Sequence, residues 1–269
     1  DAIPLTLGQE FSAYAQQVRK NKERAARAIS ALEELAIGGT AVGNGRNTHR
    51  EFGSVVCRLL SKDTGLHLRE AENHFEAQSS RDDAVEVAGQ ISAIAASLGK
   101  IANDIRLLGS GPRSGLAELK LPAIQPGSSI MPGKVNPVIP EILVQVCHHV
   151  IGLCQTVTRC GQDGHLQLNT TMPLIAFSLL QSIALLSQSI QSFTENCVSG
   201  IQADEERCRA YAEQTLGLAT ALNPHIGYDK ATEVAKRAWA ENKSIREIVL
   251  DEKLLDEETL DASFKEWLS

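Results

Sequence analysis

Between Asp82 and Leu108, aliphatic side chains recur every three or four residues: Ala84, Val87, Ala88, Ile91, Ile94, Ala95, Leu98, Ile101, Ala102, Ile105 and Leu108. That period belongs to an α-helix, and at about 1.5 Å per residue the segment makes a rod roughly 40 Å long. A rod with one apolar stripe must lay the stripe against something. Small residues alternate with large ones along it, which lets neighbouring helices approach closely. The expectation is an all-α protein built around a bundle of long helices. Aromatic residues make up only 4% of a chain that is 43% hydrophobic, so the core is expected to be aliphatic.

The rest of the chain reads the same way. Apolar spacing predicts a helix from about Thr6 to Ala36, a shorter one from about Arg50 to Leu60, and long ones from about Ile139 to Thr158 and Pro173 to Val198. The last of these is apolar nearly all round. Thr170 to Thr194 carries no charge and approaches the length of a membrane span, but Gln181, Ser182, Ser187, Gln188, Ser189 and Gln191 interrupt it. It is expected to lie among other helices, in the middle of something large. Four glycines between Gly38 and Gly45 break the first helix and predict a structured loop. Beyond Gly200 short charged helices follow, near residues 205–215, 230–241, 245–250 and 257–268, and Ser244 with Glu247 forms a capping-box pattern. These features divide the chain into a central helical-bundle domain, 1–199, and a small helical C-terminal domain, 200–269.

Several function classes are disfavoured. A formal charge of −7 and the lack of a basic cluster beyond Arg19–Arg27 argue against nucleic acid and against an anionic membrane surface. Six cysteines without a CxxC pair, and without histidines at metal spacing, argue against zinc and against a disulfide framework. Free buried thiols suit a reducing cytoplasm, and the opening Asp1-Ala2-Ile3-Pro4 has no signal-peptide pattern. No organic cofactor motif is present.

The chemistry is expected in the long connection between the helices ending near Leu108 and starting near Ile139. A loop of about 30 residues inside a helical domain is more often functional than not. Its core is Pro126-Gly127-Ser128-Ser129-Ile130-Met131-Pro132-Gly133-Lys134-Val135-Asn136-Pro137. Five residues separate Gly127 from Gly133 where a phosphate loop has four, and Val135 stands where Ser or Thr would bind magnesium. A hydrolase elbow fails as well, because Ser128 and Ser129 lack the Gly-x-Ser-x-Gly frame. From residue types alone, an anion-binding loop and a structural linker remain equally open.

Residues 127–137 resemble the signature of the fumarase/aspartase superfamily. Pro4-Leu5-Thr6-Leu7-Gly8-Gln9-Glu10, Gly38-Gly39-Thr40-Ala41-Val42-Gly43, Ser110-Gly111-Pro112-Arg113 and Asn223-Pro224-His225-Ile226-Gly227-Tyr228 extend the similarity along almost the whole chain. The resemblance implies a trans elimination through an aci-carboxylate, with Ser128 as the base. Ser129, Lys134 and Asn136 would hold the substrate carboxylate. Gly127 and Met131 would support the loop, and Glu141 would orient an active-site histidine. A serine is normally too weak a base, so its alkoxide would need backbone N–H groups around it.

The family also implies a homotetramer with active sites shared between subunits, and a small dicarboxylate or amino-acid substrate. Its active-site histidine comes from a Gly-Arg-Thr-His segment whose expected place lies three residues before Asp1. The chain by itself is therefore expected to be inactive, or to serve as an oligomerisation module. His49, His148, His149 and His165 are not expected to be catalytic. Val138-Ile139-Pro140-Glu141, Leu107-Leu108 and Gln167-Leu168-Asn169 are more similar to the aspartate ammonia-lyase branch, whereas Asn47-Thr48-His49 and Gly227-Tyr228-Asp229-Lys230 also suit the fumarases.

Overall fold

The computed structural model describes residues 1–268. They form α-helices joined by loops, and the strands among them are only two residues long. By its contacts the chain divides into two compact units: residues 16–106 with 122–200, and residues 1–15 and 107–121 with 201–269.

The larger unit contains the aliphatic rod. It runs as one helix, α4, from Asp82 to Leu108, with residues up to 106 in this unit, and its stripe from Ala84 to Ile105 is buried apart from the half-buried Ile94. Two more long helices follow, α5 (Val138–Gln162) and α6 (Met172–Asn196), packed against each other as a hairpin. Small residues set the spacing, as the stripe implied. A Cβ on Gly99 of α4 would stand 3.5 Å from Cys147 Cβ of α5, and Ala95 and Ala102 are fully buried. All six cysteines are free, five of them buried, and burial pushes the Cys147 and Cys197 thiols up to about 11.

Helix α6 departs from the expectation of all-round burial. Ile175, Leu179 and Leu186 are buried, but Leu174, Phe177, Leu180 and Ile183 form an exposed stripe, with Leu180 at 68%. One neighbouring helix covers one face of a cylinder, so the other face needs atoms from outside this chain to bury it. By length and composition alone, Val138–Gln162 and Met172–Gly200 are both long and apolar enough to cross a bilayer.

The first helix, α1 (Leu7–Ala31), stops five residues short of its predicted end. Glu34 and Leu35 leave it to form strand β1, which pairs in parallel with β2 (Arg69–Glu70). The Arg69 and Ala71 N–H groups donate to the Glu33 and Leu35 carbonyls at 2.9 Å, and Arg69 pairs with Glu34 at 3.1 Å. Long-range pairing outweighs helix propensity here. Helix α2 (Phe52–Thr64) ends on Gly65, which takes the left-handed conformation that closes helices. Helix α3 (His74–Ser79) was not predicted. Asn73 caps it by accepting from the Phe75 and Glu76 N–H groups, a signal present in the sequence as Asn-x-x-Glu.

In the smaller unit, a 3-10 helix at Leu216–Leu222 and helices α8 (Asn223–Ile226), α9 (Tyr228–Glu241), α10 (Ile245–Asp251) and α11 (Glu257–Leu268) enclose Leu218, Leu222, Val234, Ile248, Val249 and Leu260. The Ser244–Glu247 capping box forms as predicted. Strand β3 (Leu119–Lys120) pairs antiparallel with β4 (Gln202–Ala203), and Asp204 beside it caps α7 (Glu205–Gln214) while pairing with Lys120 at 2.8 Å.

Hydrogen bonding from Lys120 and from the Arg207 N–H lowers the Asp204 carboxyl below its ordinary 3.8. A depressed acid stabilises the fold above its unfolded value and ceases to do so as pH falls through the folded one. Asp204→Asn keeps a capping oxygen but removes the charge. The wild type should therefore have the higher urea midpoint at neutral pH, with the difference vanishing in acid below the 3.8 region; an unchanged difference across that range would detach the pair from stability.

Candidate active site

The loop between α4 and α5 narrows to a ring closed by Gly127. Its N–H donates to the Lys134 carbonyl at 2.7 Å, and its own carbonyl accepts from the Asn136 side-chain Nδ2 at 3.0 Å. A Cβ at this position would stand 2.7 Å from both the Asn136 nitrogen and the Lys134 oxygen, so only glycine permits this closure. Inside the ring, Gly133 takes φ +79 and the Lys134 N–H donates to the Met131 carbonyl at 3.2 Å.

Ser128 follows the closure directly. Its Oγ accepts from the Ile130 N–H at 3.1 Å and from the Met131 N–H at 3.2 Å. Two N–H groups converge on this hydroxyl, the one to which the family resemblance assigns a base, and such a pair is the kind of concavity that would stabilise an alkoxide. The sequence alone does not single out these two donors among the N–H groups of the loop. A serine followed by its own turn is the signal that could have located them, because Ser hydroxyls accept from N–H groups two and three residues on.

The other expected residues are disposed differently. Ser129 and Lys134 are exposed, and neither side chain is held by a described residue, so both are available to a ligand. Met131 is half exposed and Ile130 is 87% exposed, which gives the ring an apolar crest that water does not favour. Asn136 is half-buried and its amide is already engaged by Gly127. Glu141 sits in the first turn of α5, where a carboxylate is favoured by the helix dipole, and its N–H donates to the Pro137 carbonyl at 3.1 Å.

The histidines near the motifs have structural partners or none. His49 Nδ1 accepts from the Glu51 N–H at 3.2 Å, and the His165 backbone pairs with Leu168 across a tight turn. His148 and His149 are exposed on α5. No three His, Cys, Asp or Glu side chains gather at metal distance among the described residues.

Residues 1–152, more than half of the chain, match the family model described as Lyase, and residues 218–266 match the one described as Fumarase C C-terminus. The chain belongs to the fumarase/aspartase superfamily. It is 50% identical over 261 residues to the class II fumarate hydratase of Thermosynechococcus vestitus, covering 97% of this chain and 56% of that protein. It is 46% identical over 265 residues to the aspartate ammonia-lyase of Helicobacter pylori, covering 98% and 57%. Among solved structures it superimposes with a TM-score of 0.95 on the cobalt-bound fumarate lyase:delta crystallin of Brucella melitensis, at 45% identity over 99% of this chain and 58% of that one. The class II fumarase of Schistosoma mansoni gives 0.91 at 37% identity, covering 97% and 58%. The chain thus spans a little over half the length of these superfamily members.

Proposed function

We propose that the chain carries the base and part of the substrate cradle of a lyase that forms fumarate from L-aspartate. The observation that carries this is the pair of N–H groups from Ile130 and Met131 on Ser128 Oγ. As an alkoxide stabilised by those dipoles, Ser128 takes the proton from the carbon next to the substrate's side-chain carboxylate. The electron pair left behind moves into that carboxylate, forming the aci-carboxylate dianion. Collapse of the dianion forms the carbon–carbon double bond and breaks the C–N bond, whose electron pair leaves on ammonia. Lys134 opposes the charge that grows on the carboxylate, and the cradle is worth most where it exceeds its ground-state attraction. The run Val138-Ile139-Pro140-Glu141 favours the ammonia-lyase branch.

A second reading replaces ammonia by water and L-aspartate by L-malate, and the 50% identity to a fumarate hydratase favours it. The superfamily relationship also supports a cytoplasmic homotetramer with shared sites and no organic cofactor; the exposed stripe Leu174, Phe177, Leu180 and Ile183 is a face such an assembly would cover.

The deciding experiment follows fumarate by ultraviolet absorbance from each substrate, using the complete polypeptide. Turnover of aspartate alone supports the proposal, turnover of malate alone supports the second reading, and silence on both from a folded protein overturns the two together. Lys134→Gln should lower kcat/KM on the active substrate by about 10²-fold, the typical loss for one stabilising group at a developing anion. A loss below about threefold would remove Lys134 from the cradle.

A further inference from the structure

Three donor atoms converge where the glycine loop leaves β1. His74 Nε2 stands 3.0 Å from the Ile37 carbonyl oxygen and 3.2 Å from Glu70 Oε1. The two oxygens flank one point, since a Cβ on Gly53 would lie 2.3 Å from Glu70 Oε1 and 2.5 Å from the Ile37 oxygen. We propose that this triangle of imidazole nitrogen, carboxylate oxygen and backbone carbonyl oxygen binds a divalent transition-metal ion such as Ni²⁺, which fastens the glycine loop to α3. The site is separate in sequence from the signature loop and does not depend on the reaction proposed for that loop.

The spacing of the donors carries the inference. For metal–ligand bonds of about 2.0–2.2 Å, donors at right angles stand about 2.8–3.1 Å apart and tetrahedral donors about 3.3–3.6 Å. The observed 3.0 and 3.2 Å lie nearer the first arrangement, in which three protein donors take one face and water the remainder. The His74 and Glu70 side chains are 20% and 25% exposed, so water reaches that side. One imidazole with two oxygens suits Ni²⁺ better than Mg²⁺, which favours oxygen ligands alone. A proton on Nε2 can bridge the same two oxygens. The ion takes its place, and the displaced proton moves to Nδ1, so the neutral ring keeps one N–H. Sulfur takes no part. Cys57, one turn beyond Gly53 on α2, is 2% exposed, and burial together with Glu70 pushes its thiol up, which keeps the proton on it.

Two glycines let the donors meet. Besides Gly53, Gly38 takes φ +105, and a Cβ there would stand 2.9 Å from Glu70 Oε1 and 3.2 Å from His74 Nε2. The donors come from three segments: Ile37 just after β1, Glu70 in β2 and His74 at the start of α3. An ion bound by all three ties together residues 37 positions apart. Over it the loop is closed by the Gly43 and Gly45 N–H groups, which donate to the Gly39 carbonyl at 2.9 and 3.1 Å.

Equilibrium dialysis of the chelator-treated complete polypeptide against Ni²⁺ should show a saturable site that millimolar Mg²⁺ does not displace. His74→Gln and Glu70→Gln should each weaken it at least tenfold with an unchanged circular dichroism spectrum, since even groups that merely support a ligand contribute about 10- to 100-fold. Absence of saturable binding overturns the proposal, and so does binding of parental strength in either variant. Hydrogen exchange gives a readout that needs no variant. If the loop opens only once the ion has left, Ni²⁺ slows exchange of the peptide covering residues 38–45 by the factor 1 + [Ni²⁺]/Kd, about tenfold at ten times Kd. Exchange there that ignores bound Ni²⁺ would overturn the site as placed.

Discussion

Ser128→Ala is expected to lower kcat for fumarate formation by about 10³-fold in the complete polypeptide while leaving KM within about threefold. The Oγ of this residue is the acceptor on which the Ile130 and Met131 N–H groups converge, so the substitution removes the proposed proton acceptor and leaves the concavity empty. Little else should change. Ile130 and Met131 are exposed, so water can satisfy the two released donors, and the loss in stability should stay near or below about 1 kcal/mol. Ser129→Ala is the control. Its hydroxyl has no described partner and faces solvent, so its loss should act on KM, by about tenfold or less. A Ser128→Ala protein retaining more than a tenth of its kcat would place the base elsewhere, and the reverse ranking of the two serines would exchange their roles.

Asn169→Leu is expected to destabilise the bundle unit by about 3 kcal/mol, read as a lower denaturant midpoint at unchanged slope. Asn169 is fully buried at the turn between α5 and α6. Its Nδ2 donates at 2.9 Å to the Cys160 carbonyl in the last turn of α5, which also accepts from the Asp163 N–H at 3.2 Å and from the Thr171 hydroxyl at 2.9 Å. Its Oδ1 accepts from the Thr171 N–H at 2.8 Å, where α6 begins. Leucine is close in size but can do neither, and it leaves the Thr171 N–H without its acceptor in a part-buried place. A cost below about 1 kcal/mol would mean that the hairpin is held by the apolar faces alone, without this stitch.

Asn169 also illustrates how far the sequence could be read. The segment Gln167-Leu168-Asn169 carried a family resemblance, but its physical role is invisible without the Cys160 carbonyl, nine residues earlier. Ser128 was legible as the candidate base only through the family resemblance, since the residue types of the loop left an anion-binding loop and a linker equally open. The donors that make such a base credible were not, because every residue except proline has an N–H and only the turn selects those of Ile130 and Met131. Asn136 was legible as an amide in the right motif, while its direction toward Gly127 was not.

What the sequence determined by itself is what neighbours within a few residues decide. The α4 rod, the α5 and α6 rods to within a few residues, the capping box at Ser244 and the chemical inventory of the loop all follow from local period, caps and breakers. Tertiary structure alone decided the rest. It took Glu34 and Leu35 out of α1 to pair with Arg69 and Glu70. It gathered residues 1–15 and 107–121 with the tail, and left one face of α6 uncovered within a single chain. In each case the outcome turns on contacts between residues tens of positions apart, whose free energies rival or exceed the few tenths of a kcal/mol by which local propensities differ.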